Sequence, residues 1–262
     1  MINTVYELIT DVMAKQYPDR VAFRYVAADG KTVVEKTYAQ YVQDIRRAVT
    51  YFKENIPDIK GKRVGIMSRN CYEYGVNSFG AILAGAVVVT INQKKTWPEL
   101  EYELGLVEPS LIVNDGIDYG CRPDIEAAYG DKLRPMDAFK DSAPAELVDC
   151  VGHDDLMVLM FTSGTTGDPK MVQHDFSHPL GHIVTAKYWQ QVQENKLHMS
   201  VSDSGWAKFG WGKIYGQWIC GAVIFAYDMA KFVPTHLLQK MQDYKLTTFC
   251  APPTMYRFML QE

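Results

Sequence analysis

The sequence predicts an α/β fold: mostly parallel β-sheets flanked by helices. Three observations predict it. Between Arg63 and Val113, short β-branched runs alternate with segments of helical period, the pattern of βαβ units. The run Ala86-Val87-Val88-Val89-Thr90-Ile91 is apolar without alternation, as in a strand covered on both faces. The run Leu156-Met157-Val158-Leu159-Met160 reads as another buried strand, and it leads directly into a loop of glycines and hydroxyl side chains.

The elements follow in order. Residues 4–15 place Val5, Leu8, Ile9 and Val12 at helical spacing, and Tyr17-Pro18-Asp19 ends that helix. The stretches 21–26 and 32–36 flank Ala28-Asp29-Gly30, a hairpin signal. Thr37 and Gln40 have capping-box spacing, and the helix they start carries Tyr41, Ile45, Ala48, Val49 and Phe52 on one face. Val64-Gly65-Ile66-Met67 reads as a strand and residues 71–83 as a helix, weakened by Gly75 and Gly80. Thr96 and Glu99 repeat the capping box ahead of a short helix, and residues 110–113 form the next strand. Residues 115–152 are polar and turn-rich and read as irregular. After the loop strand, a helix is expected over 178–194 with Pro179 in its first turn. Residues 208–226 have conflicting periods apart from a strand at Val223-Ile224-Phe225. Residues 235–244 read as a helix, 247–250 as a strand, and Thr254 as the cap of a last helix. The expected organisation is one sheet over about 60–200, with 1–59 and 201–262 joining in part of a second.

Composition excludes several classes. Lys and Arg number 27 against 31 Asp and Glu, a net charge of −4, which does not suit a general nucleic-acid binder. The five cysteines are far apart with no CxxC pair, so neither a zinc ribbon nor a disulfide framework is indicated, and reduced thiols in the cytoplasm fit. The longest apolar run, 81–91, is too short to span a bilayer.

The chemistry-bearing stretch is Phe161-Thr162-Ser163-Gly164-Thr165-Thr166-Gly167-Asp168-Pro169-Lys170. Glycines permit positive φ and close backbone approach, successive N–H groups can form an anion nest, and Lys170 brings a mobile positive charge. A polyphosphate suits such a cradle. The spacing is neither a Walker A loop, which needs Gly-Lys-Ser/Thr, nor a GxGxxG fingerprint.

This order resembles the phosphate-binding signature of the adenylate-forming enzymes. Ser202-Asp203-Ser204-Gly205-Trp206 is similar to the Asp-x-Gly-Trp segment of their acyl-CoA synthetase branch, and Ala251-Pro252-Pro253-Thr254 to its Ala-Pro-Thr stretch, with the medium-chain synthetases most similar. The resemblance implies that a carboxylate and ATP give an acyl-adenylate and pyrophosphate, then a thioester with coenzyme A, with Mg2+ assisting. It assigns the β- and γ-phosphates to Thr162, Ser163, Gly164, Thr165, Thr166, Gly167 and Lys170, and the acyl pocket to Trp206 with Gly210. It assigns no catalytic residue and no metal ligand to this stretch. The alternative for Trp206 is a core aromatic.

The family's aromatic-Gly-x-Thr-Glu motif, its ribose-binding Asp and its C-terminal lysine are not found before Glu262. The sequence is therefore expected to be the N-terminal part of such an enzyme, inactive alone, or alternatively a non-catalytic nucleotide-binding or partner module. An exposed edge of the second sheet would invite association. His174, His178 and His182 recur every four residues, but Pro179 favours a helix start over a metal stripe. Lys94-Lys95 and the basic stretch 60–63 read as solvated faces, and Trp211, Tyr215 and Trp218 as core or pocket lining.

Overall fold

The computed structural model describes residues 2–27, 29–162, 167–227, 229 and 231–261, and for Ala207 and Trp211 the backbone alone. Its strands, in chain order, are β1 (Val21–Val26), β2 (Val33–Thr37), β3 (Arg63–Met67), β4 (Val87–Thr90), β5 (Leu111–Asn114), β6 (Leu133–Pro135), β7 (Leu156–Thr162), β8 (Lys170–Asp175), β9 (Leu197–Ser200), β10 (Val223–Tyr227) and β11 (Thr248–Cys250). The described residues divide into two compact units, each with one sheet.

The first unit comprises Tyr41–His178, Asp203–Ala207 and the residues up to Tyr6. Its strand order is β6-β5-β3-β4-β7-β8. All neighbours are parallel except β7 and β8, which form an antiparallel hairpin. The inner strands are buried on both faces, so they carry continuous Val, Ile and Leu rather than an alternating pattern. One core joins Val87, Val89 and Ile91 to Leu100 and Leu104 of the helix Trp97–Val107. That helix starts with the expected capping box: Glu99 accepts from the Thr96 backbone N–H at 2.9 Å and from its hydroxyl at 2.7 Å.

The second unit comprises Glu7–Gln40, Pro179–Ser202 and the residues from Lys208 onward. Its strand order is β11-β9-β10-β1-β2. It is parallel up to β1, and β2 returns antiparallel as the expected hairpin. The helix Pro234–Asp243 closes its core through Leu237 beside Phe225 and Met199.

Several elements differ from the sequence expectation. The stretch read as irregular contains a helix, Arg122–Tyr129, and strand β6. That helix buries only Ile125, so it has no apolar stripe to read. Strand β9 has no β-branched residue and buries His198 and Ser200, which masked it. The helix expected to reach Glu194 ends at Trp189 after a widened turn, and Gln191 at φ 54° turns the chain away. The last helix begins at Pro253, so Thr254 lies inside it and does not cap it. Residues 41–59 fall in the first unit and 179–200 in the second, the reverse of the expected grouping. The cause is pairing and packing: Tyr41 packs on Tyr72 and Phe79, and β9 pairs with β10.

Candidate functional site

The signature loop joins β7 to β8 in the first unit. β7 runs parallel to β4, with Val158 beside Val88, so the loop leaves the C-terminal end of a parallel strand. Open parallel sheets take ligands at that end. Thr162 and Lys170 form the last cross-strand pair. The Thr162 hydroxyl lies 3.5 Å from the Lys170 carbonyl, too far to brace the hairpin. The Lys170 side chain is exposed. Gly167 has φ 110°, a conformation that favours glycine, and it faces open space. Ser163, Gly164, Thr165 and Thr166 lie outside the described residues.

Beneath the hairpin, the Lys95 ammonium lies 5.8 Å from the centre of the buried Phe161 ring and pairs with Glu103. Glu103 is 2% exposed, and burial pushes its carboxyl pKa up while Lys95 opposes the shift. Lys94 pairs with Asp203 at 2.8 Å. Lys94 is exposed, as the solvated-face reading expected, though paired; Lys95 departs from that reading, being largely covered in its pair with Glu103.

The segment 203–206 sits on the same unit. The Ser204 hydroxyl donates to the Ser68 carbonyl, and the Tyr74 hydroxyl donates to the Ser204 carbonyl at 3.2 Å. The Trp206 N–H closes a turn on the Asp203 carbonyl at 3.2 Å. Trp206 itself is 52% exposed, which removes its core-aromatic alternative. Gly210 is buried in the second unit, at the start of the turn Gly210–Ile214. In that unit Tyr215 and Trp218 are core, and the Trp218 indole donates to the Ala22 carbonyl at 3.1 Å.

A cleft of about 470 Å³ opens at the C-terminal ends of β3, β5 and β6, lined by Arg69, Asn114, Arg122, Arg134 and Lys140 among others. It lies where the strand order reverses around β3, the usual ligand position of such sheets. No short motif marks it, because its residues come from three separate strand ends. Beyond the hairpin, the rings of His174 and His178 stack with centroids 3.8 Å apart. Burial first, and then the neighbouring His174, push His178 down to about 4, while Asp175 opposes them. Among the described residues no three His, Cys, Asp or Glu side chains are placed to hold a metal ion, and no described helix is long and apolar enough to cross a membrane.

A family model described as AMP-binding enzyme matches residues 11–262. The mitochondrial acyl-coenzyme A synthetase ACSM3 of Pongo abelii is 39% identical over 271 residues, covering 95% of this chain and 45% of that protein. The Mus musculus ACSM3 is 39% identical over 225 residues, 77% of this chain and 37% of that protein. The chain thus spans about half the length of the curated relatives it matches, or less. An acyl-CoA synthetase of Brucella canis superposes with a TM-score of 0.83 at 16% identity, covering 98% of this chain and 49% of that one. The inhibitor-bound N-terminal domain of FACL13 from Mycobacterium tuberculosis gives 0.82 at 22%, covering 100% and 66%. At those identities the structures establish the fold alone. The family match over nearly the whole chain, on a parallel sheet whose strand β7 opens into the phosphate signature, makes this chain a member of the AMP-binding enzyme family.

Proposed function

We propose that these residues provide the ATP-phosphate loop and one wall of the acyl pocket of an AMP-forming carboxylate–CoA ligase. The hairpin carries the reading: a glycine- and hydroxyl-rich turn between Thr162 and Lys170, at the C-terminal end of a parallel strand. In the reaction a carboxylate oxygen attacks the α-phosphorus of ATP and pyrophosphate leaves. The thiol of coenzyme A then attacks the acyl carbon and releases AMP. The loop's part is electrostatic. Ser163, Thr165 and Thr166 donate hydroxyls, Gly164 and Gly167 donate backbone N–H groups, and Lys170 supplies charge where pyrophosphate develops it. Trp206, half exposed, offers a flat apolar wall to an aliphatic or aryl acid; Gly210 is assigned to the acyl pocket by the family resemblance alone.

Coenzyme A carries phosphates of its own, and Arg69, Arg122 and Arg134 of the cleft at β3, β5 and β6 could meet them, although Glu73, Asp115 and Asp137 line the same cleft. Mg2+ belongs to the full reaction, but no described carboxylate cluster fits it, so no step here runs through it. The five free cysteines suit a reducing compartment, and we propose the cytoplasm, although the named relatives are mitochondrial. Subcellular fractionation tests that. Association through the edge strand β11 is a further proposal, which sedimentation at two concentrations tests.

The decisive experiment is calorimetric titration of pyrophosphate and of ATP into the wild type and Lys170→Ala. Binding that weakens at least tenfold in the variant supports the loop assignment. Equal binding by the two proteins, or binding by neither, counts against it.

A further inference from the structure

Half of the Trp206 surface is exposed, so its side chain is held by less packing than a core aromatic and depends more on the backbone that carries it. That backbone is seated by groups far away in sequence. Lys94 Nζ donates to Asp203 Oδ2 at 2.8 Å, the fully buried Ser204 donates to the Ser68 carbonyl, and Tyr74 donates to the Ser204 carbonyl. Between them Gly205 lies directly on the Asn92 backbone. A Cβ at Gly205 would overlap the Asn92 Cα and come within 2.6 Å of its nitrogen. The obstacle is main chain and cannot swing aside as a side chain would. Asn92 is itself fixed by a turn just after β4: its side-chain oxygen accepts from the Lys94 N–H at 3.0 Å, and its carbonyl from the Lys95 N–H at 3.2 Å.

We propose that Gly205 and Asn92 are positioning residues that set where the Trp206 indole stands, and through it which carboxylate the acyl pocket accepts. This rests on the reading of Trp206 as the acyl wall. Backbone-on-backbone contact makes the position stiff: any side chain at 205 moves the segment 203–206 and carries the indole with it. The Lys94–Asp203 pair and the Ser204 clamp hold the remaining ends.

The test labels the full chain with 5-fluorotryptophan and assigns the Trp206 resonance with Trp206→Phe. Hexanoate and benzoate are then titrated into the wild type, Gly205→Ala and, as a control, Gly105→Ala, whose added methyl meets nothing within 4 Å. In Gly205→Ala the Trp206 resonance is expected to shift while those of Trp97, Trp189 and Trp218 hold. Hexanoate affinity should fall at least tenfold, and the hexanoate-to-benzoate preference should change. A substitution that merely destabilises the protein would leave the resonance of the folded molecules and that preference in place. A folded Gly205→Ala with wild-type resonance and preference overturns the proposal. Should Gly205→Ala fail to fold, Asn92→Ala removes the side-chain acceptor that fixes the turn under Gly205; an unmoved Trp206 resonance there overturns the proposal equally. Should neither acid move Trp206 in the wild type, the acyl-wall reading fails, and positioning stands or falls on the Gly205→Ala resonance alone.

Discussion

Glu103 shows what a single residue contributes beneath the β7–β8 hairpin. Its carboxylate is buried, one oxygen is paired with Lys95, and Oε2 has no hydrogen-bond partner among the described residues. A buried pair adds little net stability, but breaking it strands a charge. Lys95→Ala should therefore cost roughly 3 kcal/mol in urea unfolding. The double change Lys95→Met with Glu103→Leu should recover most of that loss. A double variant no more stable than Lys95→Ala would refute the account. In the sequence these lysines were legible only as a basic dipeptide. The partner of Lys94, Asp203, is 109 positions away, and only folding brings the two together. The role proposed for Lys170, by contrast, rests on neighbours within ten residues of it, so it could be put forward from sequence alone.

At the scale of elements, glycine placement decides how closely helices approach. Gly80 weakened the helix Tyr72–Leu83 in the sequence, and the structure supplies the reason for it. A Cβ there would overlap the Ala48 side chain and lie 3.2 Å from the Ala48 carbonyl carbon, on the helix Tyr38–Asn55. Gly80→Ala gains helix propensity of about 1 kcal/mol, yet it should destabilise by a net ~1–3 kcal/mol because overpacking prevails. Thermal melting checks the sign, and a raised Tm would show that the two helices can separate without cost. The elements legible in sequence were those with strong local signals: both capping boxes, the β1–β2 hairpin and the valine-rich β4. The helix Arg122–Tyr129 and the strands β6 and β9 lacked such signals, because they are short and carry polar or proline residues where a pattern would be read.

At the scale of the molecule, acid stability follows from a buried histidine in the second unit and a half-buried one in the first. His198 is wholly buried between the Thr248 hydroxyl at 2.9 Å and the Gly212 carbonyl at 2.7 Å. Burial pushes it down to about 4, with Lys213 adding to the shift and the Gly212 hydrogen bond opposing it. His178 in the first unit is likewise pushed down to about 4. These folded values lie below the ordinary 6.5, so the unfolded chain binds protons more readily. The stability is full above about pH 6.5 and is lost as the pH falls from there toward about 4. His198 alone accounts for on the order of 3 kcal/mol across that window. Urea midpoints should drop between pH 7 and pH 4.5, and the drop should be smaller in His198→Gln. A pH-independent midpoint would contradict both assignments.

The sequence by itself determined the α/β class and the family, since both rest on local pattern: apolar runs of strand length, and ten consecutive residues that match one signature; the proposed phosphate role rests on those same ten. The tertiary structure alone decided the rest. It split the chain at His178 rather than near 200, because β9 pairs with β10. It covered Lys95 in a pair with Glu103, gave the exposed Lys94 a partner in Asp203, seated Gly205 on Asn92, and brought Arg69, Arg122 and Arg134 to one cleft. Those features depend on which distant segments a parallel sheet brings side by side, and no local spacing encodes that.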